Sequence, residues 1–254
     1  MRLQNKVAVI TGGGSGMGLA GVQLFAAEGA RVVVADLDSV AAKEAAAAVV
    51  ELGGEAVAVE ADVASLEGNQ AIVDAALDSF GAIDVFWANA GVAAPMSPVS
   101  EQSIDFFDTL MAVNAKGPWL GARVAMPHMK KRPVASFIIT SSLSGFRARP
   151  NNSAYSASKG AAIQLTRALS IEFAPEVRVN SVAPVSTETP MLRTFMAKQD
   201  DIDATIAGQR AGVPLGRLAL PADIAKAALF LAGDDSEFIT GVTIPVDGGI
   251  SARS

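Results

Sequence analysis

Short runs of β-branched and apolar residues alternate with longer stretches of helical periodicity along the chain. Val7-Ala8-Val9-Ile10, Arg31-Val32-Val33-Val34-Ala35, Ala56–Val59, Ile83–Trp87, Ser136–Thr140, Val177–Val182 and Val242–Val246 predict seven strands. Several are apolar at nearly every position, the pattern of strands covered on both faces. Between them the spacing predicts helices over roughly 16–29, 39–53, 66–80, 103–131, 153–174 and 221–233. Ser39 is read as the N-cap of the second helix, and Gly53-Gly54 as its stop. This alternation predicts an α/β fold, a doubly wound parallel sheet (Rossmann-like) of seven strands flanked by helices on both faces. No repeat or linker interrupts it, so residues 1–254 are expected to form a single domain. Trp87, Trp119 and His128 are assigned to structure, in a strand, a helix interior and a helix face.

One region departs from the pattern. Residues 185–220 are richer in Thr, Pro, Asp and Gly, with a helical patch near 190–210. A long irregular stretch in such a fold is usually functional or disordered, and this one follows a strand end, where ligands sit in doubly wound sheets. It is read as a mobile cover over the substrate.

Composition narrows the functional classes. Hydrophobic residues make up 50% and charged residues 18%, against about 25% charged in an average soluble domain. The deficit suggests surface covered by further copies of the chain; the other reading is a well-filled core beneath an Ala-rich surface. Net charge is −6, and no basic stripe is present, which disfavours a nucleic-acid partner. The Lys130-Lys131-Arg132 run suits the last turn of a helix. There is no cysteine and one histidine, which excludes disulfides and zinc sites built from thiolate and imidazole. The apolar run from Val7 breaks at Gly12, too early for a signal peptide, and Asn89, Gly91, Pro95 and Pro98 interrupt the longest uncharged stretch. A cytoplasmic protein without a membrane partner is expected.

The first strand runs into Thr11-Gly12-Gly13-Gly14-Ser15-Gly16-Met17-Gly18 and then a helix. Glycines allow a tight turn and close approach of backbone N–H groups to a pyrophosphate, and the helix N-terminus adds a favourable dipole. The spacing is G-x-x-x-G-x-G, and a Gly-rich turn alone is equally compatible with a structural turn. Asp36 ends the second strand, eighteen residues after Gly18. A carboxylate there can accept hydrogen bonds from a ribose 2′-hydroxyl and repel a 2′-phosphate, which indicates NAD. Positions 15 and 37, where a basic residue would signal NADP, are Ser15 and Leu37. Asp62-Val63 and Asn89-Ala90-Gly91 follow the third and fourth strands, where adenine and ribose would lie.

The second half of the chain carries acid–base chemistry. Tyr155 and Lys159 are four apart on a predicted helix, hence on one face. A phenol titrates near 10 in water, and a neighbouring ammonium together with a positive nicotinamide is expected to lower it. Ser142, thirteen residues before Tyr155 and just past a strand end, can donate to the same substrate oxygen. Ser144, Arg147, Asn152 and Met191 are candidates to line the substrate pocket, with Arg147 and Arg149 as possible partners of an anionic substrate.

With these motifs assembled, the chain resembles the short-chain dehydrogenase/reductase family, in its compact single-domain branch, over essentially its full length. The matching positions are Thr11–Gly18, Asp62, Asn89-Ala90-Gly91, Asn114, Ser142, Tyr155-Ser156-Ala157-Ser158-Lys159, Asn180–Pro184 and Val246-Asp247-Gly248-Gly249. The resemblance implies a tetrad of Asn114, Ser142, Tyr155 and Lys159, with the Asn114 carbonyl holding a water that relays protons to Lys159. Pro118 fits that role, since it has no N–H to give the carbonyl of residue 114. It also implies that Pro184, Thr187 and Thr189 lie near the nicotinamide, and that the protein is a homotetramer built through the 103–131 and 153–174 helices and the last strand. Two positions depart from the family pattern. Pro184-Val185 replaces Pro-Gly, where a branched residue resists positive φ, and Ala88-Asn89 replaces a double Asn. The function these features imply is an NAD(H)-dependent oxidoreductase of secondary alcohols and ketones. The alternatives are an NADPH-dependent reductase of 3-oxoacyl type and a non-catalytic nucleotide-sensing protein on the same fold.

Overall fold

A computed structural model describes residues 1–197 and 201–253. Seven strands, β1 (Val7–Thr11), β2 (Arg31–Asp36), β3 (Ala56–Glu60), β4 (Val85–Ala88), β5 (Ala135–Thr140), β6 (Val177–Pro184) and β7 (Thr243–Val246), form one parallel sheet in the order β3-β2-β1-β4-β5-β6-β7. Nine α-helices occur among the described residues. They are α1 (Gly16–Ala27), α2 (Ser39–Glu51), α3 (Leu66–Phe80), α4 (Ile104–Met111), α5 (Gly117–Met129), α6 (Ser153–Glu172), α7 (Pro190–Met196), α8 (Ile202–Gly212) and α9 (Pro221–Ala232).

The apolar runs are explained by two cores, one on each face of the sheet. Ala8 and Ile10 of β1, with Val32, Val34 and Trp87, pack with Val22 and Phe25 of α1 and Leu229 of α9. Val9, Val33, Phe86 and Phe137 point the other way, onto Ile72 of α3, Met126 of α5 and Ala162 of α6. Successive residues of a strand face opposite sides, so a strand buried on both must be apolar throughout.

Local chemistry sets the helix boundaries. The α2 N-cap is Asp38, whose carboxylate accepts from the Val40 and Ala41 amides at 3.0 and 3.1 Å. Ser39, expected as the cap, is the first helical residue instead; a charged carboxylate satisfies two orphan amides at once. Ser65 caps α3 through the Gly68 amide, and Gly81 ends it with φ +74°. The predicted 103–131 helix is split into α4 and α5 by a π-helical turn at Ala112–Lys116, where the Gly117 amide donates back to the Ala112 carbonyl. Pro118 supplies no amide to the ladder there, and the wider turn is how the chain passes that gap. Trp119, expected in a helix interior, is 45% exposed, with the Arg123 guanidinium over its ring. The helical patch foreseen near 190–210 is two helices, α7 and α8; residues 198–200 of the foreseen cover lie outside the described residues.

The order of strands decides where ligands go. The chain winds outward from β1 to β3, then crosses to β4 on the other side of β1. At such a switch point the loops leaving adjacent strands diverge and open a crevice at their carboxyl ends. Those loops carry Gly12–Gly18 after β1 and Asn89–Gly91 after β4.

Candidate active site

The glycine loop is shaped by contacts that leave no room for side chains. Gly12 and Gly16 have φ of +65° and +52°, a conformation that strongly favours glycine. A Cβ on Gly18 would collide with the Gly12 carbonyl, so the first turn of α1 lies directly against the loop. The Gly14 amide donates to Asp36 Oδ2 at 2.9 Å, and the Asp38 amide donates to Oδ1 at 3.1 Å. Each carboxylate oxygen keeps a lone pair for a further donor. Gly12, Ser15, Gly16, Met17, Asp36, Leu37, Asp62, Val63, Asn89, Ala90, Gly91 and Thr189 line one continuous cleft.

Asn89 ties the floor of this cleft to the sheet. Its amide side chain donates to the Thr11 carbonyl at 3.1 Å, and its backbone N–H donates to the Thr11 hydroxyl at 3.0 Å. Thr140, at the end of β5, donates to Asn89 Oδ1 at 3.1 Å and accepts from Trp87 Nε1 at 2.9 Å. With Asn89 bridging the ends of β1, β4 and β5, Ala88 in place of a second Asn leaves these sheet-end contacts intact.

The cleft opens into a second pocket lined by Ser142, Ser144, Asn152, Tyr155, Lys159, Pro184, Thr187, Thr189 and Met191, and the two share Met17, Asn89, Gly91, Val92, Thr189 and Met191. Ser142 arrives at the end of β5, its hydroxyl accepting from the Ser144 amide at 3.2 Å. Tyr155 and Lys159 come from successive turns of α6, with the ammonium 5.8 Å from the phenol ring centroid. Lys159 Nζ donates to the Thr140 carbonyl at 2.9 Å. The buried Asn114 side chain accepts from the Val92 amide at 2.9 Å and donates to the Val92 carbonyl and to Ser158 Oγ at 3.0 and 3.1 Å. It thereby fixes the loop after β4 against α6.

Burial dominates the electrostatics. It pushes the Tyr155 phenol up to about 12, partly offset by the nearby Ser142 hydroxyl. It pulls Lys159 down to about 8. The expectation that the ammonium lowers the phenol is not met by the protein's own groups: removing charge from water costs both of them more than their proximity returns.

Other expectations are corrected by placement. Arg147 does not line the pocket; its guanidinium donates to the Ile250 carbonyl at 2.6 Å, holding the C-terminal segment. Arg149 lines the pocket and is exposed. Gly18 lies beneath the loop and outside the cleft lining, where it permits close packing. Val185 does not take a positive φ: Asn5 and Asn151 are the only non-glycine residues that do among the described ones. The turn is closed instead by the Thr187 hydroxyl donating to the Val185 carbonyl at 2.8 Å. The apolar wall was not foreseen. Val92, Met96, Leu143, Leu192, Phe195 and Met196 line the pocket, and Phe195 of α7 meets the Tyr155 ring edge-on at 4.9 Å between centroids. The only trace of this wall in the sequence is the clustering of apolar residues at 191–196.

No group of three or more His, Cys, Asp or Glu side chains that could hold a metal occurs among the described residues. No helix of those residues is long and apolar enough to cross a membrane.

A family model described as enoyl-(acyl carrier protein) reductase matches residues 12–251. The chain is similar to the 2,5-dichloro-2,5-cyclohexadiene-1,4-diol dehydrogenase LinX of Sphingobium indicum, 38% identical over 251 residues that cover 98% of each chain. Among solved structures it is similar to levodione reductase, with a TM-score of 0.96, 31% identity and 100% of both chains covered. It is also similar to NAD⁺-bound xylitol dehydrogenase, with a TM-score of 0.93 and 31% identity over 98% of this chain and 100% of that one.

Proposed function

This chain belongs to the short-chain dehydrogenase/reductase family and is an oxidoreductase of alcohols and ketones; we propose that it uses NAD(H) to interconvert a secondary alcohol and a ketone, with Tyr155 as general acid and base. One observation carries the proposal. The cleft lined by the glycine loop and Asp36 runs without a break into the pocket lined by Ser142, Tyr155 and Lys159.

The cleft fits a nicotinamide dinucleotide. Gly12 and Gly16 face it without side chains, and the N-terminus of α1 beside them has no side-chain cap. Asp36 offers lone pairs to adenine-ribose hydroxyls and would repel a 2′-phosphate, and Ser15 and Leu37 offer a phosphate no cation. These features favour NAD over NADP and speak against the NADPH-dependent 3-oxoacyl reading. Gly12, Gly16 and Met17 are assigned to the pyrophosphate, and Leu37, Asp62 and Val63 to the adenine side. Asn89, Ala90, Gly91, Pro184, Thr187 and Thr189 are assigned to the nicotinamide side. The bound dinucleotide supplies the hydride acceptor or donor, and in its oxidised form a positive ring that favours the phenolate.

The chain's own residues do the rest. Tyr155 takes the proton from the alcohol oxygen during oxidation and returns it during reduction. Ser142 donates to the same oxygen and holds it beside the phenol. Lys159, anchored on the Thr140 carbonyl, stands one helical turn from the phenol and donates to ribose hydroxyls. Asn114 keeps the Val92 backbone in place and is assigned to the proton relay through its carbonyl, for which Pro118 has no competing N–H. A nucleotide sensor would need only the cleft. An intact Ser142-Tyr155-Lys159 set in the adjoining pocket favours chemistry.

A homotetramer is part of the proposal. Ile104, Phe106 and Phe107 of α4, Trp119 of α5 and Ile171 of α6 are exposed, and large apolar side chains left on these helices suit contact with further copies of the chain. The absence of cysteine suits a reducing, cytoplasmic setting. The test is a panel of secondary alcohols assayed with NAD and with NADP. The proposal expects NAD-dependent oxidation at least tenfold more efficient than with NADP; an NADP preference, or no turnover beside tight NADH binding, would contradict it.

A further inference from the structure

Helix α8 carries an apolar stripe with one polar interruption. Ile202 and Ile206, one turn apart, pack with Leu192, Met196, Leu218 and with Val213 just past the helix end, in the core of the segment that covers the pocket. Gln209 occupies the position of the same stripe between Ile206 and Val213. Packing alone would place an aliphatic residue there. Gln209 lines the same pocket as Ser142 and Tyr155, where Val92, Met96, Leu143, Met191 and Phe195 form an apolar wall.

The carboxamide of Gln209 is poorly used by the protein. Among the described residues its Oε1 is buried without a hydrogen-bond partner, and its Nε2 reaches only the Met196 thioether, at 3.8 Å. Thioether sulfur is a weak acceptor. A buried amide oxygen without a donor is costly, and each such group in a native structure calls for a reason; here the side chain lines the substrate pocket.

We propose that Gln209 is a specificity-determining residue whose carboxamide, turning about its last side-chain bond, accepts a hydrogen bond from a second hydroxyl of the substrate. The substrate class is then an apolar-bodied secondary alcohol, or its ketone, that bears a hydroxyl remote from the reacting carbon. This rests on the dehydrogenase reading above, with Ser142 and Tyr155 holding the reacting oxygen. The apolar wall takes the hydrocarbon body, and the unpaired amide discriminates against a substrate with nothing to offer it.

The probes are trans-1,4-cyclohexanediol and cyclohexanol, which share a ring and differ by the second hydroxyl. Both are assayed for turnover with NAD and NADP and titrated calorimetrically against the NADH-loaded protein. The proteins compared are the wild type, Gln209→Leu and Gln209→Met, the second a near-isosteric replacement in case the first perturbs the cover. The expected result is a preference for the diol of about ten- to a hundredfold in the wild type, carried mainly by KM and by affinity, that falls to within about threefold in both variants. A diol preference unchanged in the variants, or none in the wild type, overturns the Gln209 assignment even where both alcohols are oxidised. Differential binding that depends on Gln209 without turnover of either alcohol sustains the assignment and counts against the dehydrogenase reading.

Discussion

Lys159 donates from Nζ to the carbonyl of Thr140 at 2.9 Å, and the Thr140 hydroxyl is held between Trp87 and Asn89. The ammonium is thus anchored to the same strand end that anchors the cofactor-side loop, so the two halves of the site share one scaffold. The cost is a lysine buried with a neutral carbonyl as its hydrogen-bond partner.

That cost predicts a pH signature in stability. The folded value of Lys159, about 8, lies below its ordinary value of 10.5. Below pH 8 both states hold the proton and the penalty is fully present. From 8 to 10.5 only the unfolded state holds it, so the wild type gains stability as pH rises. Tyr155 acts oppositely: raised from 10.0 to about 12, it lowers stability as pH climbs between those values. Lys159→Met should therefore melt relatively higher at pH 7 than at pH 10, its offset from the wild type dropping by roughly 5 °C. Melting curves across that range check this, and a pH-independent offset would exclude it.

Asp36 is predicted to decide cofactor preference. Replacing Asp36 with Ala and Leu37 with Arg removes the carboxylate and supplies a cation for a 2′-phosphate. The ratio of kcat/KM with NADP to that with NAD should rise by about a hundredfold. Losing the bonds from the Gly14 and Asp38 amides should also cost about 1 kcal/mol each in stability. Steady-state kinetics with both cofactors reads the first effect, and urea melts read the second.

Two glycines on different helices should respond in opposite ways. Gly18→Ala drives a methyl into the Gly12 carbonyl, so NADH affinity, measured by fluorescence titration, should weaken at least about tenfold. Gly208, inside α8, has open space where its Cβ would go. Gly208→Ala should stabilise by roughly 0.5–1 kcal/mol through helix propensity and leave NADH affinity unchanged.

The sheet was legible because its strands are buried on both faces, which leaves uninterrupted apolar runs such as Val32-Val33-Val34. The glycine loop was legible because a tight turn against a helix end demands glycine at particular spacings, as at Gly12 in the cleft and Gly18 beneath it. Propensity read Ser39 as a cap because serine suits one, yet the neighbouring Asp38 satisfies two amides. Arg147 was misplaced because its partner, the Ile250 carbonyl, is over a hundred residues away and has no local signature. The wall formed by Met96, Leu143 and Phe195 is likewise assembled by tertiary packing, where neither motif nor periodicity marks a residue as facing substrate. Split helices α4 and α5 fall between these cases: Pro118 announced a break in the hydrogen-bond ladder but not the π-helical turn that accommodates it.

The central claim is that the Tyr155 phenol moves the proton. Its most direct measurement is the turnover of Tyr155→Phe with NAD and an oxidisable secondary alcohol, alongside a fluorescence titration of NADH. The account predicts a loss of kcat of about 10²- to 10⁴-fold with NADH affinity retained. Wild-type turnover in the variant would contradict it.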